Sequence, residues 1–127
     1  MVYDGFIFSY ELELLDLRLA YLNDVVDYFV IVESTQTLSG NPKKLYYKEN
    51  EKRYEQYKHK IIHLECPRRP EMNAWEYEYY QRNYIKQGLI NCKDDDLVLI
   101  SDLDEIVNLK KVLAVPGLTL PALIELP

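Results

Sequence analysis

The sequence predicts an α/β domain: a mostly parallel sheet with flanking helices. Segments with a helical hydrophobic period alternate with short extended apolar runs, the order expected of β–α–β units. The central runs are apolar on both faces, as strands are when helices cover both sides of a sheet. At 127 residues the chain suits one domain.

The elements follow in order. Residues 6–8 are an apolar run and the first strand candidate. From 11 to 23, Leu12, Leu15, Leu19 and Leu22 recur every three or four positions, which lines them along one helix face. Glu11 and Glu13 fall in its first turn, where the helix dipole favours carboxylates. Residues 27–34, DYFVIVES, read as a central strand, and residues 35–44, with Gly40 and Pro42, as a loop. A second helix is expected from about Asn50 through Tyr54 and Tyr57, feeding a strand at 61–64. Pro67 and Pro70 mark the next loop; Asn73 with Glu76 three residues on forms a capping box that opens a third helix ending near Gly88. After the acidic turn 94–96 comes a fully apolar strand, 97–100, and then a short helix around 109–114. This unit is read as residues 1–114. Residues 115–127, with three prolines and one charge, read as an irregular apolar tail that covers an open face or contacts a second copy of the chain.

Composition narrows the function. Hydrophobic residues at 48% and charged residues at 28% describe a soluble globular chain. Fifteen basic against twenty-one acidic residues leave a net charge of −6, which argues against a nucleic-acid surface. No apolar run approaches the ~20 residues that span a bilayer, and no signal-peptide pattern opens the chain, so a cytoplasmic setting is expected. Cys66 and Cys92 make neither a disulfide framework nor a metal knuckle and read as small hydrophobes in a reducing compartment.

In open α/β sheets ligands bind beyond the carboxyl ends of the strands. That rule points to Glu33 and Ser34, to the loop after Leu64, and above all to the segment after Ile100. There LVLISDLDE delivers Asp102 and Asp104 one residue apart, with Glu105 beside them. On extended backbone the two aspartates project to the same side. Converging carboxylates repel unless a cation neutralises them, and oxygen ligands of this type suit Mg²⁺ or Mn²⁺ with a diphosphate. The plain alternative is that acidic residues after a strand cap the next helix or face water. On the preceding helix, Glu78 and Arg82 are spaced for a surface ion pair; otherwise Arg82 is a guanidinium aimed at diphosphate or at the aspartates. Trp75, Tyr77, Tyr79, Tyr80 and Tyr84, part of a complement of twelve tyrosines, read mainly as core, with one or two left to stack on a sugar or base. His59 and His63 read as surface or packing residues, not zinc ligands. Neither a Ser-His-Asp order nor a glycine-rich phosphate loop occurs.

Several segments together resemble glycosyltransferase family 17, whose best-known members add bisecting N-acetylglucosamine. The resemblance runs from YDGFIFSYELELLDLRLAYLNDVVDYFVIVESTQTLSGNPKKLYYKEN through KIIHLECP and the W-E-x-E-x-x-Q-R-N block at 75–83 to DDDLVLISDLDEI, in consistent order over roughly residues 2–114. It implies a GT-A-like, Rossmann-type nucleotide-diphospho-sugar transferase fold, truncated relative to typical members. It further implies that Asp102 and Asp104 hold Mn²⁺ or Mg²⁺, that Asp102, Glu33, Ser34, Arg82 and Asn83 border the donor, and that a UDP-sugar, with UDP-GlcNAc favoured, is transferred to a glycan acceptor with inversion. The catalytic base is expected outside this chain. Family relatives reside in the Golgi; the absence of an anchor here keeps the expectation cytoplasmic.

Two other functions compete. An Asp-x-Asp after an apolar strand also describes the nucleophile loop of haloacid-dehalogenase-like phosphatases, but these carry Gly and Thr where Glu105 and Ile106 stand. The other is a non-catalytic nucleotide-sugar-binding module that works as an oligomer or with a partner.

Overall fold

The β-branched and aromatic run YFVIVES forms β2 (Tyr28–Ser34), the second strand from the edge of an all-parallel five-stranded sheet. The computed structural model describes residues 1–106 and 122–125, the last four as backbone alone. The other strands are β1 (Val2–Ile7), β3 (Ile61–Cys66), β4 (Leu97–Ile100) and β5 (Ala122–Glu125), in the spatial order β3-β2-β1-β4-β5. Helices are α1 (Leu12–Leu22), α2 (Tyr46–Glu49) and α3 (Ala74–Tyr84), with 3-10 segments at Glu51–Lys60 and Ile85–Leu89. The α/β expectation is thus met. No helix among the described residues is long and apolar enough to cross a membrane.

Strand alternation sorts the core into two layers. Phe6, Phe29, Ile31, Leu97 and Leu99 face α1 and the 46–60 segment, with Leu15, Leu19, Tyr47 and Tyr54. Tyr3, Val30, Val32, Val98 and Ile100 face α3 and the segment after it, with Tyr77 and Ile85. The second layer is seated by two reciprocal close approaches. A Cβ on Gly5 of β1 would stand 2.5 Å from Ile85 Cγ2, and one on Gly88 would stand 2.5 Å from Val30 Cγ1. The bare strand admits the helical isoleucine, and the bare helical turn admits the strand valine.

Differences from the sequence reading have physical causes. The first strand is Val2–Ile7, not 6–8, because Asp4 and Gly5 break its apolar pattern although both are buried. The second helix starts earlier, at Tyr46, and is mostly 3-10. It kinks at Tyr54 (φ −112°, ψ 18°), whose buried ring donates its hydroxyl to the Leu12 carbonyl at 3.2 Å. The capping box is as expected: Asn73 Oδ1 accepts from the Glu76 amide at 2.9 Å and Glu76 Oε1 from the Asn73 amide at 3.2 Å. Within the tail read as irregular, residues 122–125 instead form β5, in register from Leu97↔Ala122 to Ile100↔Glu125. The reason is backbone pairing: β4 would otherwise present an open ladder on that side. The helix expected around 109–114 and the other tail residues lie outside the described residues.

Candidate functional site

The chain visits β2 and β3 on one side of β1, then returns to place β4 and β5 on the other. Crevices open at the carboxyl ends of strands where the order reverses in this way. A cavity of about 760 Å³ lies there, lined by Ile7 and Ser9 after β1, Ser34 and Gln36 after β2, and Asp102, Leu103 and Asp104 after β4. Lys43 and Lys44 close it from the loop before α2, and Glu78 and Gln81 from α3.

Both aspartates reach this cavity, but not by strand alternation. The strand stops at Ile100, and residues 102–105 make a turn in which the Glu105 amide donates to the Asp102 carbonyl at 3.0 Å. Glu105 Oε1 accepts from the Asp102 amide at 2.9 Å, closing the turn on itself. Leu103 is buried in the α1-side core, whereas Asp102 and Asp104 are exposed. An apolar residue driven inward between two acidic residues leaves the two carboxylates outward.

Beneath the turn lies a residue that the sequence reading missed. Arg18 is fully buried, with Nε and Nη2 donating to the two oxygens of the equally buried Asp4 at 2.8 and 2.6 Å. Its Nη1 donates to the carbonyls of Asp102, Leu103 and Glu105 at 2.7, 3.1 and 3.1 Å, and Nη2 also reaches Ser101 Oγ at 2.6 Å. Burial pushes the Asp4 carboxyl up, and the Arg18 hydrogen bonds and charge pull it back. The signal was positional: with Leu15, Leu19 and Leu22, Arg18 completes the buried stripe of α1.

The other expected site residues divide. Ser34 is on the cavity wall, its hydroxyl donating to the Gln36 carbonyl at 2.7 Å. Arg82 Nη1 stands 3.7 Å from Asp102 Oδ1, so the guanidinium accompanies the acidic turn. Glu33 does not line the cavity. Alternation puts it on the Phe29–Ile31 face, where its carboxylate accepts from the Tyr47 and Lys48 amides at 2.8 and 3.3 Å and pairs with His63 Nε2 at 2.6 Å. His63 therefore packs against a carboxylate, in keeping with a packing role. Asn83 is also away from the cavity: its Nδ2 donates to the Tyr79 carbonyl at 3.2 Å, and it borders a separate hollow with Tyr79, Tyr80 and Tyr84. Of the aromatic residues on α3, Tyr77 is core, whereas Trp75 and Tyr79 are exposed.

The cavity's polarity is mixed. Lys43, whose ammonium donates to the Lys44 carbonyl at 2.9 Å and lies 5.3 Å from the Tyr46 ring centre, is pushed down by burial. Partial burial raises the Asp102 carboxyl, with the charges of Glu105 and Asp104 adding to the rise and Arg82 opposing it. A turn that gathers negative charge against its own repulsion fits a hard dication. No cluster of three or more His, Cys, Asp or Glu side chains suited to a metal occurs among the described residues. Besides Asp102 and Asp104, the cavity lining carries the carboxylates of Glu11 and Glu78.

Comparisons with known proteins identify a family. A sequence model described as "Glycosyltransferase family 17" matches residues 1–115. The β-1,4-mannosyl-glycoprotein 4-β-N-acetylglucosaminyltransferases of Homo sapiens and Rattus norvegicus are each 34% identical over 107 residues, and that of Mus musculus 33%. Each alignment covers 77% of this chain and 20% of the relative, so the chain spans about one-fifth of the length of these curated relatives. No solved structure matches the chain significantly.

Proposed function

This chain belongs to glycosyltransferase family 17, and from that premise we propose that its cavity is the donor site of a metal-dependent glycosyltransferase domain using a UDP-sugar. The supporting observation is the meeting of Asp102 and Asp104 with Ser34 around one cavity at the switch point of the sheet. UDP-GlcNAc is the favoured donor and a mannose-containing glycan the acceptor, by analogy with the relatives' names.

Asp102 and Asp104 would hold Mn²⁺ or Mg²⁺, which would offset the charge that develops on the departing diphosphate. Arg82 adds a guanidinium beside Asp102, and Lys43 and Lys44 bring positive charge to the cavity wall. Ser34 offers its hydroxyl to the nucleoside or sugar. In the inverting reaction the acceptor oxygen bonds to the anomeric carbon as the carbon–oxygen bond to UDP breaks. The hydroxyl proton goes to a carboxylate base, which is not among the residues assigned here.

Calorimetric titration with UDP, in Mn²⁺ and in chelator, tests this reading. Binding that needs Mn²⁺ and disappears in Asp104→Ala supports it; absence of metal-dependent UDP binding at millimolar ligand refutes it.

A further inference from the structure

We propose that the buried Asp4–Arg18 pair is the positioning device of the acidic turn, with Arg18 setting where the Asp102 and Asp104 carboxylates stand. The inference rests on the donor-site reading above for its consequence, though not for its geometry.

Three carbonyls of one short turn, those of Asp102, Leu103 and Glu105, converge on a single guanidinium nitrogen. Peptide planes held by their oxygens cannot rotate freely, so the outward directions of the side chains between them are held too. The guanidinium is itself oriented by Asp4, through two hydrogen bonds to separate carboxylate oxygens. Asp4 belongs to β1 and is in register with Leu99 of β4, so the turn is referenced to the sheet centre. Ser101 extends the clamp: its hydroxyl accepts from Arg18 and donates to the Glu105 carbonyl at 3.2 Å. Only arginine supplies five N–H donors in a planar fork; lysine keeps the charge but has three donors at one point. Partners that orient ligands in this way affect metal affinity without touching the metal.

The experiment uses the 127-residue chain, Arg18→Lys and Ser101→Ala, with folding checked by circular dichroism. UDP affinity is measured by calorimetry in Mn²⁺ and in chelator, and amide hydrogen exchange is followed at residues 101–105 and in β2. For folded Arg18→Lys the expected result is a loss of roughly 10–100-fold in Mn²⁺-dependent affinity. Chelator-only binding should be unchanged, and exchange should quicken at 101–105 but not in β2. Ser101→Ala gives a severalfold loss of the same pattern and carries the test should Arg18→Lys not fold. Wild-type affinity together with wild-type exchange in the folded variants overturns the proposal. A wild-type chain that binds no UDP defeats the donor-site reading instead, and the exchange comparison then decides the clamp by itself.

Discussion

Gly5→Ala tests how closely the helical layer is seated on the sheet. The added methyl would stand 2.5 Å from Ile85 Cγ2, whereas carbon pairs rest at about 3.5–4.0 Å. Relief needs a shift of about 1 Å, and the contacted atom is the branch of a stiff side chain that is 1% exposed. Lifting the 85–89 segment instead would undo its close packing at Gly88 against Val30 as well. Overpacking of this kind costs about 1–3 kcal/mol, offset by about 0.4–1 kcal/mol from the stiffer unfolded chain. The net is a loss of about 1–2 kcal/mol, or a fall in melting temperature of roughly 4–8 °C for a chain of this size. Thermal unfolding followed by circular dichroism reads it directly. Ile85→Ala alone should cost about 2–5 kcal/mol by opening a cavity. The two changes together should cost less than their sum, since the new methyl enters space that Ile85 vacates. A Gly5→Ala chain that melts at or above wild type, or costs that add within about 0.3–0.5 kcal/mol, would show that the close approach is not a steric constraint.

Other outcomes follow from the same geometry. Glu33→Ala leaves the Tyr47 and Lys48 amides without their acceptor and should cost about 2–4 kcal/mol in chemical denaturation while UDP affinity is unchanged; lost affinity in a folded variant would return Glu33 to the donor site. Asn73→Ala removes the cap of α3 and should cost about 1 kcal/mol, read from the same denaturation curves. With Asp102 as a metal ligand, as proposed, protons would compete for its raised carboxyl, so Mn²⁺-dependent UDP affinity should fall with decreasing pH from a point above that of an ordinary aspartate. Glu105→Gln removes a neighbouring charge and should move that midpoint down; an unmoved midpoint in calorimetry across pH would show that Asp102 does not govern binding.

The sequence made β2, β4 and α1 legible because each buries a continuous apolar surface, and such surfaces show in periodicity. It made the start of α3 legible because a cap is a local pattern of two residues. What stayed hidden was non-local. Asp4 and Arg18 are fourteen residues apart and look like two surface charges until the fold brings them together. Glu33 stands at the expected strand end but faces away from the cavity, since adjacent residues of a strand serve opposite layers and a strand apolar on both faces does not reveal which layer borders the cavity. The acidic pair reached the expected end of the sheet by a turn, not by extended backbone, which only the hydrogen bonds of Glu105 disclose.

The middle letter of the acidic motif answers to the interior. Leu103 shares its cluster with Phe6, Leu15 and Leu19, so a change of volume there is expected to reach its two neighbours. Trimming a hydrocarbon deep under the sheet, as in Leu15→Ala, would let that wedge settle and shift the two carboxylates without altering a single polar atom. Chemistry at the rim inherits the tolerances of the oil beneath it.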